Sequence, residues 1–402
     1  MASSNTLLTP TIIAKEGLMQ LVNSMAMARH VHTAYKNEFV KVGQTITIRK
    51  PNKFRATKTQ ARSNTNLAEP STSITMSTQA HVSWAFSSVD LTTTIEDYSK
   101  RYITPAAGAL ANQVDADLCA LYKDVYNYAG TPGTAPATFG VLGDAQQALD
   151  DECVPSDTRV GVLNPKAHWA LADGLKGTFA QNVAKDIITK GYLGTIANLS
   201  MYMDQNVVRH TTGVFTTSAT PLVTTTSVTG ATQIVTKGWN ASSSTVKAGD
   251  TFVIAGCYAV NPMSGASTGV LRRFTVTENA ASVGGAMTIK VTPTIVFAET
   301  GNLAYNNVDS LPVADAALTF VGSESTAYPQ NLIFHPNAFA LVTVPIEMPS
   351  NVWGARETDP DAGISIRVVK QYDIDADEEI IRLDILYGTK TLYAELAARL
   401  WG

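Results

Sequence analysis

Two short motifs have the residue types that catalysis or metal binding would need. Gly265-Ala-Ser-Thr-Gly269 matches the G-x-S-x-G pattern of a nucleophile elbow, in which a strand precedes the serine and a helix follows it. Here Asn261-Pro262 precedes the motif, and the strand-like run Leu271–Thr277 follows it. The sequence therefore predicts a hairpin loop at this place. A hydrolase that uses Ser267 is kept only as a third alternative.

The second motif is the H-x-H pair of His30 and His32. No carboxylate or cysteine stands at a useful spacing from the pair, so a zinc site is not predicted there. The other four histidines are isolated in sequence, and neither a Walker loop nor a strand followed by G-x-G-x-x-G occurs. We therefore predict no catalytic, metal-binding or cofactor-binding residue, and we expect that the chain is not an enzyme.

Composition points to a protein whose surfaces are covered by partners. Charged residues are 16% of the 402 residues, against about 25% in an average soluble domain. With a net charge of −4, the chain has no overall excess of basic residues that would bind nucleic acid. Three cysteines without metal-ligand spacing indicate reduced thiols and cytoplasmic synthesis. No signal peptide is expected, and no apolar run approaches the ~20 residues that cross a bilayer.

The first third of the chain predicts long elements. Apolar spacing indicates a helix from Pro10 to about His30, and alternation indicates strands at Thr45–Arg49 and Val82–Phe86. The polar stretch between the two strands predicts one long projecting hairpin. A spine helix is predicted from Pro105 to Ala129, with Gly130 placed to end it.

The rest of the chain mixes strands with shorter helices. Arg159–Leu163 predicts a buried strand, and residues 166–173 predict a short helix. From about Thr211 to Tyr328 the sequence turns into short Thr/Ser/Gly/Val-rich alternating segments, which predicts an inserted β-domain. Ile364–Val369 and Ile380–Tyr387 predict paired strands. A short C-terminal helix is predicted from the spacing of Leu392, Leu396 and Leu400.

The predicted hairpin carries charge of one sign. Between residues 41 and 68 it has seven Lys or Arg residues and no Asp or Glu. Like charges repel along a hairpin that cannot bury its own tip. The hairpin needs an acidic partner surface, nucleic acid, or simply water around it. Two acidic stretches, Asp144–Asp157 and Asp373–Glu379, are candidate partner surfaces.

The order of the β-rich segments resembles one family. The chain resembles the major capsid (coat) proteins of tailed double-stranded-DNA bacteriophages, and within them the short-tailed Salmonella-phage type whose coat carries an inserted β-barrel. The match is specific from about residue 190 to 402 and rests on layout alone before that. The segments that carry it are Lys247-Ala-Gly-Asp250, Phe252–Gly256, Ala259–Pro262, Arg273–Val276, Met287–Pro293 and Asn331–Pro345.

The resemblance implies an α+β fold with an N-terminal arm, an extended loop, a spine-helix peripheral domain and an axial domain, interrupted by an all-β barrel. It also implies self-assembly of pentamers and hexamers into an icosahedral shell around packaged DNA. The expected domains are 1–44 (arm), 45–95 (extended loop), 96–139 (peripheral domain), 140–210 (axial domain), 211–328 (barrel) and 329–402 (return through the axial domain and peripheral strands to the C-terminal helix).

The implied partners are other copies of the chain, with a scaffolding protein and a portal during assembly. DNA would be enclosed without specific binding, no membrane would be involved, and the shell would form in the host bacterial cytoplasm. A β-rich surface or adhesion protein that binds a receptor or glycan is the alternative. The hypothetical inter-subunit contact residues are Lys53, Arg55, Lys58 and Arg62 on the loop, and Asp150, Asp151, Glu152, Asp377, Glu378 and Glu379 on the neighbour.

Overall fold

The fold was analysed in a computed structural model of the chain. The structure describes residues 10–33, 45–56, 58, 60, 62, 69–87, 99–175, 193–215, 220–297, 303–350, 352–359 and 363–402. Parts of the predicted arm and of the predicted extended loop lie outside these residues. Contacts divide the chain into two compact units. The first comprises Met1–Ile48, Thr72–Leu118 and Phe339–Lys390, and the second comprises Arg49–Ser71, Cys119–Ala338 and Thr391–Gly402.

The first unit packs two helices with a five-stranded sheet. Strand order in the sheet is β18-β21-β20-β19, and β3 also pairs with β21. Helix α1 packs on β19 and β20, because Ile13, Ala14, Leu18 and Leu21 form its buried face. The elements are α1 (Pro10–Ser24), β1 (Thr45–Arg49), β2 (Ser71–Thr75), β3 (Thr78–Ser87), α2 (Thr104–Cys119), β18 (Phe339–Thr343), β19 (Trp353–Thr358), β20 (Ser365–Asp373) and β21 (Glu378–Thr391).

In the second unit, a mixed sheet packs with two helices. We call it the host sheet because the inserted β-domain interrupts its chain. Strand order is β4-β22-β17-β5-β7-β6, and β8 pairs with β17. Strand β5 pairs in parallel with β7 and is buried along its whole length, as expected for an inner strand covered on both faces. The elements are β4 (Asn127–Ala129), α3 (Phe139–Asp151), β5 (Arg159–Leu163), α4 (Pro165–Leu175), β6 (Thr195–Ile196), β7 (Leu199–Met203), β8 (Arg209–Thr211), β17 (Ala327–Phe334) and β22 (Ala397–Trp401).

The inserted segment forms a closed barrel. Six strands follow the order β16-β12-β13-β15-β10-β9. The two end strands meet, since Leu318 N–H donates to Pro221 O and Val223 N–H donates to Ala316 O, each at 2.9 Å. Closure removes the exposed sheet edges. The elements are β9 (Leu222–Val223), β10 (Ala231–Lys237), β11 (Thr245–Val246), β12 (Thr251–Val260), β13 (Ser267–Val276), β14 (Ala280–Ala281), β15 (Ala286–Ile295) and β16 (Leu318–Phe320).

The structure confirms several local predictions. Strand β5 and helix α4 lie where the sequence placed them, and β20 pairs with β21 as predicted. The G-x-S-x-G stretch is the hairpin between β12 and β13, and a strand follows it rather than a helix. The inserted β-domain is a barrel. The domain boundaries themselves stay a prediction.

Three predictions were wrong: the C-terminal helix, the C-terminal end of the spine helix and the pairing within the long hairpin. The C-terminal helix is instead strand β22, which pairs with β17 on one side and β4 on the other. The spine helix ends at Cys119, and a 3-10 turn then leads to β4. Both errors have one cause: β4 and β22 pair with each other at one end of the sheet in the second unit, and this pairing outweighs helical spacing.

The long hairpin was also wrong in its pairing. Strand β1 pairs with β2, while the predicted partner strand β3 pairs with β21 over ten residues. Strand β2 was overlooked because Ile74 is the single large apolar side chain in Ser-Thr-Ser-Ile-Thr, so alternation gave almost no signal.

Candidate functional site: the junction of the barrel and the host sheet

The barrel joins the host sheet through two adjacent strands and a packed surface. Strands β8 and β17, which lead into and out of the barrel, pair antiparallel, with Thr211 opposite Ala327. Barrel strand β13 packs on β4 and on the 3-10 turn Ala120–Asp124. We call this packed surface, together with the side chains of α3 and β22 that reach it, the junction. It lies entirely within the second unit.

Arg399 on β22 is the central cation of the junction. Its side chain is completely buried. Its guanidinium donates to Val125 O at 2.8 Å, to Gly249 O at 2.6 Å and to Thr275 Oγ1 at 3.3 Å. It also lies over the ring of Tyr122, 5.2 Å from the centroid. Strand β22 is thereby tied to two places in the barrel and to the segment before β4.

The environment of Arg399 explains how a cation is tolerated there. Burial lowers the pKa of Arg399 to about 10, and the nearby Tyr122 hydroxyl and Asp250 carboxylate partly offset that effect. Within the described part of the chain, no carboxylate lies within ion-pair distance of it. Main-chain carbonyls and an aromatic face therefore solvate the charge in place of water.

Asp250, the last residue of the Lys-Ala-Gly-Asp turn, organises the barrel side. Its carboxylate accepts from Lys247 N–H at 2.7 Å and Gly213 N–H at 3.2 Å. His210 Nε2 lies 2.7 Å from the same carboxylate, and His210 Nδ1 lies 3.0 Å from the hydroxyl of Tyr122. This buried chain of three side chains joins β8, the turn and the host.

The glycine of this turn is required by both conformation and space. Gly249 has a φ of +103°, which side chains rarely adopt. A β-carbon there would also lie 3.1 Å from the Tyr122 ring and 3.2 Å from the His210 ring. The Lys-Ala-Gly-Asp sequence thus serves docking of the barrel, a role that its sequence pattern did not disclose.

A second buried cation connects the barrel to α3. Arg272 on β13 donates to Glu152 Oε1 at 2.5 Å, and its guanidinium lies 4.8 Å from the centroid of Tyr126. Burial alone would lower the pKa of Arg272, but the Glu152 carboxylate and the Tyr126 hydroxyl together raise it. Burial likewise raises the pKa of Tyr126 well above its usual value. The guanidinium of Arg272 is thereby held in its charged form.

A third buried cation fixes the end of α3. Arg159 on β5 donates to Asp150 Oδ1 and to Val154 O, each at 2.6 Å, and to Pro155 O at 2.8 Å. It also donates to Gln146. Because α3 carries Asp150 and is followed directly by Glu152, Arg159 indirectly positions the carboxylate that meets Arg272.

The predicted loop residues fall into two groups. Lys53 Nζ lies 3.8 Å from Glu395, and the Arg55 guanidinium lies against Gly265, where a β-carbon would overlap it. Both therefore contact their own chain. Lys58 and Arg62 are exposed, and neither has an acidic partner within the described residues.

The predicted acidic residues divide in the same way. Asp150 and Glu152 hold Arg159 and Arg272, and Glu379 lies 2.5 Å from Lys370. Asp377 accepts from Tyr372 at 2.6 Å. The two that remain, Asp151 and Glu378, have no basic partner within the described ranges. None of these positions tests the inter-subunit hypothesis, which stays a prediction.

The two motifs whose residue types could support catalysis or metal binding are held in structural contacts. The Ser267 hydroxyl donates to Asp309 Oδ2 at 3.0 Å. Burial lowers the pKa values of His30 and His32. Among the residues that the structure describes, no three His, Cys, Asp or Glu side chains are grouped as metal ligands. In the same residues, no helix is long and apolar enough to cross a membrane.

Sequence reasoning missed the two buried arginines of the junction, Arg399 and Arg272, and the buried Arg159 that positions α3 beside it. Two signals were available. Arg399 stands alone inside the apolar run Ala-Ala-Arg-Leu-Trp, and a lone charge in such a run is usually paired or bonded. Arg272 is one of two adjacent arginines in a strand pattern, where alternation sends one side chain inward. Neither signal identifies the partners, because these come from more than a hundred residues away.

With this geometry in place, the chain can first be assigned to a class: it is a phage coat protein, with the tailed-phage major capsid fold and an inserted β-barrel. A sequence model of the family described as "P22 coat protein - gene protein 5" matches residues 1–402. The chain belongs to this P22 coat protein family. The fold class expected from the resemblance is confirmed.

Individual relatives are more distant. The chain is 25% identical over 272 residues to the "Major capsid protein" of Acyrthosiphon pisum secondary endosymbiont phage 1, and this match covers 64% of each chain, slightly under two thirds of the relative's length. A solved structure from Mycobacterium phage Che8 covers 94% of this chain and 90% of that chain, with 13% identity and a TM-score of 0.49. The "CUS-3 coat protein I-domain" covers 27% of this chain and 99% of that chain, with 21% identity and a TM-score of 0.21. Family membership rests on the sequence model.

Proposed function

We propose that the chain is a major capsid protein whose copies form pentamers and hexamers of an icosahedral shell around packaged double-stranded DNA. The observation that carries this proposal is the family match over residues 1–402. The name of the endosymbiont-phage relative, "Major capsid protein", supports it. The chain then acts as a structural protein of the virion and not as an enzyme. The shell assembles in the host cytoplasm with a scaffolding protein and a portal, and it encloses DNA without specific binding.

Self-assembly is tested by electron microscopy of the purified full-length chain, with and without co-expressed scaffolding protein. We expect closed polyhedral particles with five-fold and six-fold capsomers. A chain that stays monomeric in both preparations, with no curved polymer, would contradict the proposal. The alternative of an adhesion protein predicts binding to a receptor or glycan without shells, so an array of immobilised glycans is the parallel measurement.

The proposed contact between copies can be narrowed by the pairs made within one chain. Lys53 is already engaged by Glu395, and Glu152 and Glu379 already hold cations. Charges engaged in this way gain little from a second partner. Among the proposed residues this leaves Arg55, Lys58 and Arg62 on the loop, and of these Lys58 and Arg62 are exposed. On the neighbouring copy it leaves Asp151, Asp377 and Glu378, of which Asp377 accepts a hydrogen bond from the Tyr372 hydroxyl.

This contact predicts a charge-reversal experiment. Lys58→Glu combined with Arg62→Glu should reduce particle yield at least tenfold. The far-ultraviolet circular dichroism spectrum of the monomer should stay unchanged. The matched control is Lys166→Glu with Lys390→Glu, two exposed lysines outside the loop and the junction, which should assemble normally. Adding Asp151→Lys and Glu378→Lys to the reversed loop should restore particles. Normal assembly of the reversed loop would reject the contact while leaving shell formation itself intact.

A further inference from the structure

The junction contains a small polar recess between the barrel and the host sheet. It lies among β13, β4 and the end of α3, and its polar walls include Asn127, Asp151, Glu152, Thr268 and Arg272. The space open to the centre of a water molecule is about 20 Å³. About 10–15 Å³ on this measure suffices for one water molecule. The polar recess therefore has room for a water molecule.

Two buried donors in this recess have no acceptor. Asn127 Nδ2 and Arg272 Nε make no hydrogen bond, and both residues are only 3% exposed. They come from different parts of the fold, β4 of the host and β13 of the barrel. Buried N–H groups in folded proteins are almost always paired with protein or ordered water. Two such donors lining one recess therefore call for an acceptor inside it.

The charge of the walls selects the kind of ligand. The recess has two guanidiniums, from Arg272 and Arg273, and two carboxylates, from Asp151 and Glu152, so the charges of its walls balance. Those carboxylates disfavour an anion such as chloride. The two N–H donors and the two guanidiniums disfavour a cation. A neutral molecule that both accepts and donates hydrogen bonds fits these walls.

We propose that the polar recess is a binding site for a single ordered water molecule. Its oxygen accepts from Asn127 Nδ2 and Arg272 Nε, and its two O–H groups face the carboxylates of Asp151 and Glu152. The water links β13 of the barrel with β4 and α3 of the host, beside the direct bond from Arg272 to Glu152. Four of the recess residues, Ala148, Asp151, Val270 and Arg273, also line an outer groove of about 300 Å³, so the water exchanges with solvent along a short path.

A density map of the full-length chain, as particles or crystals at about 2 Å resolution, tests the site directly. We expect one peak about 2.7–3.2 Å from both nitrogen atoms. An empty recess in a map that resolves other buried waters would overturn the proposal. A peak with chloride's anomalous signal in crystals grown with chloride would overturn it too, since the ligand would then be an anion.

Two substitutions separate a bound water from mere packing. Asn127→Leu fills the recess with an apolar side chain, and we expect the peak to vanish and the urea midpoint to fall. Asn127→Ala enlarges the recess, and we expect the peak to remain on Arg272 Nε with a smaller fall. Equal midpoints for Asn127→Leu and the native chain, or a larger loss for Asn127→Ala, would contradict the role of water. Should Asn127→Leu fail to fold, the map of the native chain decides alone.

Discussion

The interior of the barrel and the junction are both buried, yet they are built from opposite kinds of residue. The barrel interior is a continuous apolar cluster that includes Phe215, Trp239, Phe252 and Phe274. The rings of Phe215 and Phe320 stack at 4.6 Å. The junction instead holds buried arginines, a histidine and carboxylates joined by hydrogen bonds.

This difference assigns different tasks to the two regions. Apolar packing is non-directional, so it stabilises the barrel without fixing how the barrel sits on its host. Hydrogen bonds to buried charges are directional and lose most of their value when displaced. We infer that the aromatic cluster keeps the barrel folded, while the junction fixes the position of the barrel on the host sheet. Substitutions in the two regions should therefore fail in different ways.

The largest effect is expected inside the barrel. Phe252→Ala removes a completely buried ring, and such truncations cost about 3–5 kcal/mol. Burial raises the pKa of the Cys257 thiol in the same cluster to about 12, so this thiol is inert while the barrel is folded. Site-resolved thiol labelling should show Cys257 becoming reactive in Phe252→Ala. The control is Val235→Ala at an exposed position on β10, which should lower the free energy of unfolding by less than about 0.5 kcal/mol. A Cys257 that stays protected in Phe252→Ala would argue against the aromatic cluster as the source of stability.

Arg399→Met should give the next largest loss, about 2–3 kcal/mol, because Val125 O and Gly249 O each lose a donor. Here Cys257 should stay protected, since the barrel interior is untouched. The measurement is urea unfolding of the full-length chain together with thiol labelling. Exposure of Cys257 at the same urea concentration as loss of the host sheet would remove the distinction between the two regions.

Glu152→Gln isolates the charge of one pair. It keeps an oxygen acceptor for Arg272 and removes the negative charge, and about 2 kcal/mol should be lost. Replacing both partners, Arg272→Met with Glu152→Leu, should recover most of that loss, because an apolar pair often substitutes for a buried ion pair. A double variant less stable than Glu152→Gln would mean that Arg272 has further essential contacts.

The smallest effect at neutral pH is expected for Tyr122→Phe, about 1 kcal/mol for the bond to His210. Burial raises the pKa of Tyr122 to about 12, and the unfolded chain releases this proton near pH 10. The tyrosine therefore contributes its full stability below pH 10, and this contribution is lost as pH rises through 12. The advantage of the native chain over Tyr122→Phe should shrink between pH 10 and 12. An advantage that stays constant across that window would show that Tyr122 titrates normally.

The sequence predicted those parts of the fold whose pattern is local. Strand β5 and the pair β20 and β21 were placed correctly because their apolar runs and alternation need no partner to be recognised. The inserted β-domain was predicted from its alternating segments, and its closure into a barrel came only from the family resemblance. Strand β22 was mistaken for a helix because Leu392, Leu396 and Leu400 satisfy helical spacing, and only pairing with β17 and β4 decides otherwise.

The junction could not be predicted from the sequence, and the reason is physical. Arg399, Arg272 and Asp250 each bond to groups that lie between about 40 and 270 residues away. A single sequence shows that a charge stands among apolar residues, but it does not show which distant carbonyl or carboxylate meets that charge. The Lys-Ala-Gly-Asp turn was singled out as a motif, and its docking role became visible only with Tyr122 and His210 in place.

Native-state hydrogen exchange of the full-length Arg399→Met chain, measured over a series of urea concentrations, tests most directly whether the junction seats a barrel that is stable in its own right. Amides of β12, β13 and β15 should remain protected at urea concentrations at which β4 and β22 already exchange. A single opening free energy shared by all five strands would contradict this account.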